Sequence, residues 1–330
     1  MHIREIDPAE SPADLAAVLP VWSSAFAHAM PDLPVPGEVR LRNAARAGEG
    51  VRLVCLAAFP DEGAGQAVGL AIYTASTTAN LDVCRSTLLV APQAERHGVG
   101  SALLAAQLDV AATEGRQRLI MRGPASTSAT GFAQRHEGRL VGRDTMSVLD
   151  VRNLDLARFE AWAAPSGKNL DYRVIHWDDR CPDEVAESFC HALDAMADAP
   201  STLRLERVRL SIENLRASEE RFARAGVHRH VVAALDASGT IVGYCMTATV
   251  DGEPELAEVW NTAVLREHRG RGLALRLKAA QTLHLRDSLP EIEWFNTFNN
   301  EANEPMLRVN RTLGYRAHTD WVSIEFAITR

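Results

Sequence analysis

Cysteine is scarce in this 330-residue chain: five residues, Cys55, Cys84, Cys181, Cys190 and Cys245, lie far apart in the sequence. No C-x-x-C pair occurs, and no histidine stands at zinc-ligand spacing from any of them, so a zinc ribbon and a disulfide framework are both excluded and no metal is expected. An odd number of thiols without a pairing pattern points to a reducing compartment. Long apolar runs are missing too; none approaches the ~20 residues that cross a bilayer. The opening segment MHIREIDPAE is charged and has no apolar h-region. The expectation is a soluble, cytoplasmic protein without a membrane partner. Basic excess is also absent: 35 Lys and Arg stand against 43 Asp and Glu, a formal net charge of −8. Nucleic-acid binding rests on clustered cations, so that balance argues against a nucleic-acid partner.

What is present is ordinary globular composition, 46% hydrophobic and 24% charged residues, at a length that suits two domains. An internal repeat supports that division. The segment LLVAPQAERHGVGSALLAAQ (88–107) aligns with TAVLREHRGRGLALRLKAAQ (262–281). Val90 matches Val264, Gly98 matches Gly272 and Gln107 matches Gln281, each 174 residues later. Val68-Gly69 and Val242-Gly243 fall in the same register, and two windows sharing one offset indicate duplication.

Hydrophobic periodicity predicts the same element order in both halves. In the first, strands fall at 3–6, 51–59, 67–74, 81–90, 118–122 and 145–151, with helices at 15–29, 38–47, 99–114 and 126–134. In the second, strands fall at 172–177, 230–235, 241–250, 257–264, 293–298 and 321–328, with helices at 182–197, 205–225, 273–286 and 304–313. The stretch 152–171, centred on Ala164-Pro165-Ser166-Gly167, reads as a linker between domains 1–151 and 172–330.

The densest chemical signal is His268-Arg269-Gly270-Arg271-Gly272-Leu273-Ala274, between a predicted strand and a predicted helix. The first amides of a helix have no intrahelical acceptor, and its dipole adds positive potential there. Glycines let an anion approach the backbone, and arginines supply donors suited to phosphate oxygens.

The spacing Arg269-x-x-Gly272-x-Ala274 resembles the R/Q-x-x-G-x-G/A signature of the GNAT N-acetyltransferase superfamily. Asn303 to Tyr315, NEPMLRVNRTLGY, resembles that superfamily's N-x-x-A-x-x-L-Y-x-x-x-G-F segment. Together with Ala195–Pro200, these runs are similar to a group of actinobacterial tandem GNAT proteins that share a layout with mycothiol synthase. The resemblance implies an α/β (α+β) fold of two tandem GNAT domains. Each would hold a mixed, mostly antiparallel sheet of about six to seven strands flanked by helices. It implies acetyl-CoA as co-substrate, with the pyrophosphate on Arg269, Gly270, Arg271, Gly272, Leu273 and Ala274. The pantetheine arm would lie along Thr262, Ala263 and Val264, where a backbone N–H polarises the thioester carbonyl.

Glu258 is the candidate general base. Six residues before Val264 on one strand, it is placed by even spacing on the same face, and its position resembles the glutamate base of mycothiol synthase. Glu253 and Glu255 are alternatives nearby. Many GNAT enzymes carry a tyrosine acid where this chain has Asn310, which cannot supply a proton. Tyr315 is the remaining candidate acid, although its position commonly packs in the core. Asn303 and Asn310 are candidate pantetheine contacts, Asn303 having a second explanation as a helix N-cap before Pro305. Asp198 and Trp260 are candidate contacts to the acceptor, and Trp294 a candidate pocket wall.

In the first copy Glu95 replaces Arg269, Cys84 aligns with Glu258 and His136 with Asn310. That copy reads as a degenerate cofactor site. The implied activity is acetyl transfer to a primary amine of a small molecule, by a monomer or homodimer. Protein lysine or N-terminal acetylation, and a non-catalytic CoA-binding regulatory module, are the alternatives.

Overall fold

The computed structural model describes residues 1–61, 65–195 and 210–328. These form two compact units: residues 1–143 with 319–328, and residues 144–195 with 210–318.

In the first unit the chain runs β1 (His2–Ile6), α1 (Pro12–Ala29), α2 (Glu38–Ala44), β2 (Val51–Phe59), β3 (Gly69–Ser76), β4 (Val83–Val90), α3 (Val99–Thr113), β5 (Arg118–Pro124) and α4 (Thr127–Arg135). β6 (Arg139–Asp150) leads out of it. The second unit holds α5 (Leu156–Ala163), β7 (Arg173–Asp178), α6 (Ala186–Asp194), α7 (Ile212–Arg224), β8 (Val227–Leu235), β9 (Ile241–Val250) and β10 (Glu253–Val264). It continues through α8 (Leu273–Ser288), β11 (Trp294–Asn300) and α9 (Glu304–Leu313) before β12 (Arg316–Ala327).

Each unit is built on six strands in the same succession. The first has β1-β2-β3-β4-β5 closed by β12, the second β7-β8-β9-β10-β11 closed by β6. Within each unit the described pairings are antiparallel except β4 with β5 and β10 with β11, so each sheet is mixed as expected. The closing strands are exchanged. Trp321–Ala327 pairs with β5 in the first unit, and residues 144–150 of β6 pair with β11 in the second. The compact units thus differ from the expected division at 151 and 172, because periodicity locates a strand but not its partner.

The duplication is visible in register. Gly69 faces Val90 across β3–β4, and Gly243 faces Val264 across β9–β10. A Cβ on Gly69 would lie 2.8 Å from Leu103 of α3, and one on Gly243 would lie 3.5 Å from Leu277 of α8. Both glycines let the helix after the turn settle closely on its sheet.

Each sheet carries apolar layers on two faces. In the second unit, α6 and α7 cover one built on Trp177, Phe189, Tyr244, Met246 and Ala263. On the other face α5, α8 and α9 enclose Val259, Leu277, Phe295, Leu313 and Tyr315. The expected linker is structured: α5, capped by Asp155, packs along α8. Among the described residues no helix is long and apolar enough to cross a membrane, and no cluster of metal-ligating side chains occurs.

Candidate active site

β10 positions the site. Its parallel pairing with β11 covers only Leu256–Val259 against Trp294–Thr297. Beyond Val259 the strand keeps its antiparallel partner β9 while its other edge leaves β11. Thr262, Ala263 and Val264 lie on this open stretch.

A β-bulge sits at the same point. Val259 faces Thr247 and Asn261 faces Met246, so Trp260 is an extra residue in the ladder. A bulge reverses the alternation of side chains beyond it. Glu258 therefore shares its face with Asn261 and Ala263, toward α6 and α7, whereas Val264 packs on the α8 side. Even spacing therefore does not put Glu258 and Val264 on one face. Glu258 is half-buried and accepts a hydrogen bond from Trp260 Nε1 at 3.3 Å. The Trp260 ring packs 5.2 Å from Phe222 of α7, giving the carboxylate an aromatic wall.

The turn from β10 to α8 is open backbone. Gly270 and Gly272 take left-handed φ of 73° and 79°, and Gly272 is an N-cap without a side-chain acceptor. No heavy atom lies within 4 Å of a Cβ on Gly270, while one on Gly272 would lie 3.4 Å from Asn169 Nδ2. Arg269 and Arg271 are exposed, and Arg269 Nε donates to Val264 O at 2.9 Å. Leu273 anchors the first turn in the core with Ala274 beside it. Exposed amides at a dipole terminus flanked by guanidinium groups fit a diphosphate.

The remaining candidates do not all converge here. Asn303 caps α9 and accepts from Met306 N at 3.4 Å. Asn310 is 1% exposed, and its Nδ2 donates to Asn299 Oδ1 at 2.6 Å. Tyr315 lies in the apolar layer beneath α8, its hydroxyl buried with no partner among the described residues. Burial holds that phenol well above its usual pKa, so it is poorly suited to proton donation. Trp294 carries Arg152 over its ring at 4.8 Å. Asp198 and the start of the predicted helix 205–225 lie outside the described residues.

Two buried cations escaped the sequence reading. Lys278 is 2% exposed, its Nζ 4.7 Å above the Tyr315 ring, and burial lowers its pKa to about 8. Arg276, 4% exposed, donates to the carbonyls of Ala163, Asn169 and Tyr172 at 2.9–3.1 Å. Both are buried in α8 together with Leu273, Leu277 and Leu285, on opposite flanks of the helix because two residues turn it by about 200°. A cation inside an otherwise apolar stretch of helix was the available signal.

The first copy keeps the backbone of the turn and changes its side chains. Arg96 and Gly98 adopt left-handed φ of 65° and 84°, matching Gly270 and Gly272. The Glu95 carboxylate accepts a hydrogen bond from Ser128 Oγ at 3.2 Å. β4 pairs with β3 from Gly69–Val90 to Ala75–Cys84 without a bulge, so Arg85, facing Thr74, occupies the register position of Glu258, which faces Ala248. Cys84 instead lies in the α3-side core, where burial raises its thiol to about 11. His136 accepts or donates at 2.8 Å to Ser101 Oγ.

The open strand edge, the bulge and the glycine turn all lie along β10 and at the start of α8. Residues 195–315 match the model of the acetyltransferase (GNAT) family. The chain is similar over its full length to a tandem GNAT protein from the clavulanic acid biosynthesis pathway, at 24% identity, 99% coverage of that chain and a TM-score of 0.83. A GCN5-related N-acetyltransferase from Sphaerobacter thermophilus aligns with all of this chain and 96% of its own, at 17% identity and a TM-score of 0.71. A GNAT-family acetyltransferase from Colwellia psychrerythraea aligns with 99% of this chain and 100% of its own, at 12% identity and a TM-score of 0.60. No protein of curated function matches the sequence. Residues 195–315 are thus similar to the GNAT acetyltransferase family, and the whole chain shares the fold of the tandem GNAT protein.

Proposed function

We propose that the chain moves the acetyl group of acetyl-CoA to a primary amine of a small molecule, with the working site in the second unit. The observation that carries this reading is the bulge at Trp260, which aims Glu258 away from the α8 core just where β10 leaves β11.

The fit to acetyl-CoA rests on the left-handed glycines of an uncapped helix start and on the open edge of β10. Amides of the 269–274 turn, with Arg269 and Arg271, hold the diphosphate. The edge at Thr262–Val264 aligns the pantetheine arm, and a backbone N–H there polarises the carbonyl. Bound acetyl-CoA supplies an activated acyl group. Glu258 takes the proton that the acceptor ammonium must lose, and Trp260 with Phe222 shields that carboxylate from bulk water. Tyr315 is buried and Asn310 is held by Asn299, so the leaving thiolate takes its proton from water in this scheme.

The same absence of a placed phenol favours a second reading, a CoA-binding module without turnover. Free-thiol release from acetyl-CoA across a panel of amines, lysine-bearing peptides included, separates the readings. Release only with small amines is expected. Release only with peptides, or binding without release under every acceptor, would overturn the proposal.

A further inference from the structure

Beside the 269–274 turn lies a cleft of about 310 Å³. It is lined by Gly270, Arg271 and Gly272 of the turn and by Trp162 and residues 166–169 of the expected linker. We propose that this cleft receives the 3′-phosphorylated nucleoside end of CoA, with Lys168 as the residue that recognises the 3′-phosphate. The inference rests on the CoA reading of the turn and assigns to the inter-repeat segment a role in ligand choice.

Three observations carry it. First, the segment is fastened to the turn. Asn169, itself buried, donates from Nδ2 to Arg271 O at 3.3 Å and accepts from Ser166 N at 2.8 Å. Arg276 donates to Asn169 O at 2.9 Å and to Ala163 O at 3.1 Å, tying both ends of residues 163–169 to the first turns of α8. Burying a guanidinium without a carboxylate is costly, and burial lowers its pKa here. Apolar packing alone could attach a linker, so this cationic clamp fixes the segment's position against the turn.

Second, the cleft is furnished for a phosphate. Lys168 and Arg271 both line it, and neither forms an ion pair with an acidic side chain among the described residues. Ser166 adds a hydroxyl, and Trp162 an aromatic surface next to Arg158, whose guanidinium stands 5.2 Å over its ring.

Third, connectivity leaves few places for the nucleoside. A diphosphate on the turn has the pantetheine arm on one side and the phosphorylated ribose on the other. The open edge of β10 takes the arm. The cleft shares Gly270–Gly272 with the diphosphate site, so the ribose side reaches it directly.

The test is calorimetric titration of the full-length protein with CoA and with 3′-dephospho-CoA. A charge-assisted contact to phosphate is worth about 10- to 100-fold in affinity. Wild type should prefer CoA by that factor. Lys168→Ala should lose most of the preference by weakening CoA while leaving dephospho-CoA within about twofold, and Lys168→Arg should restore it. Lys168 is exposed, so thermal melts should match wild type. Equal binding of both ligands by wild type, an unchanged preference in Lys168→Ala, or equal weakening toward both ligands would each overturn the assignment. Binding of neither ligand by wild type would instead overturn the CoA reading of the turn, and the assignment with it.

Discussion

Glu258 and Val264 point to opposite faces of β10 although six residues separate them, because Trp260 is an extra residue in the ladder with β9. The consequence is chemical. Without the bulge Glu258 would turn into the layer of Phe295 and Leu277, where an ionised carboxylate is expensive. With it, the carboxylate faces the α6 and α7 side and meets the Trp260 indole. The first copy has no bulge and shows Arg85 in that place.

The turn gives the first prediction. Gly272→Val forces a β-branched residue into left-handed backbone, costing about 1–3 kcal/mol, and crowds the amides proposed to hold the diphosphate. Gly98→Val imposes the same strain at φ 84° in the first unit. Both variants should lower the melting temperature, but only Gly272→Val should abolish acetyl-CoA binding by calorimetry. Loss of binding in Gly98→Val alone would place the cofactor in the other unit.

Lys278 gives a prediction in pH. Its pKa falls from an ordinary 10.5 to about 8, a penalty on the folded state of about 3 kcal/mol. Below pH 8 that penalty is fully present, since the unfolded chain holds the proton more tightly than the folded one. As pH rises from about 8 to about 10.5 the penalty fades, and stability rises from this group. Lys278→Met should therefore stabilise the protein near pH 7 by a few kcal/mol, less the lost contact with the Tyr315 ring. The gain over wild type should shrink through that window in denaturant titrations. A gain independent of pH would mean the amine is not the source.

The exchanged strand gives a third. Phe326 belongs to β12 and is buried in the first unit, on the face of Leu103, Leu119 and Phe132. Phe326→Ala should cost about 3–5 kcal/mol. Hydrogen-exchange mass spectrometry should show lost protection first in 118–124, the partner of β12, and not in 294–300. Early loss in 294–300 would contradict the pairing.

Much of this was legible in the sequence. Most described strands and helices lie within a few residues of their expected places, because alternation and 3.6-residue spacing are local signals, although β6 and β12 begin at Arg139 and Arg316, ahead of the expected 145 and 321. The Gly-rich turn was legible because its motif is contiguous. The bulge was not: Trp260 fits an alternating strand, and only the partner strand reveals that it is supernumerary. Comparing Cys84 with Glu258 by a fixed offset failed for the same reason, since one extra residue shifts the match to Arg85. The exchange of β6 and β12 is a matter of pairing, which periodicity does not encode. The clamp of Arg276 on Asn169 joins residues 107 apart.

The central claim is that the second unit performs the chemistry through Glu258. It is tested most directly by steady-state kinetics of Glu258→Gln beside Glu95→Ala, with any accepted amine and with acetyl-CoA affinity measured in parallel. Glu258→Gln keeps the side chain's size and removes its basicity. Its kcat should fall about 10²- to 10⁴-fold while acetyl-CoA affinity stays within about twofold, and Glu95→Ala should turn over like wild type. Full activity in Glu258→Gln together with a dead Glu95→Ala would contradict the account and move the active site to the first unit.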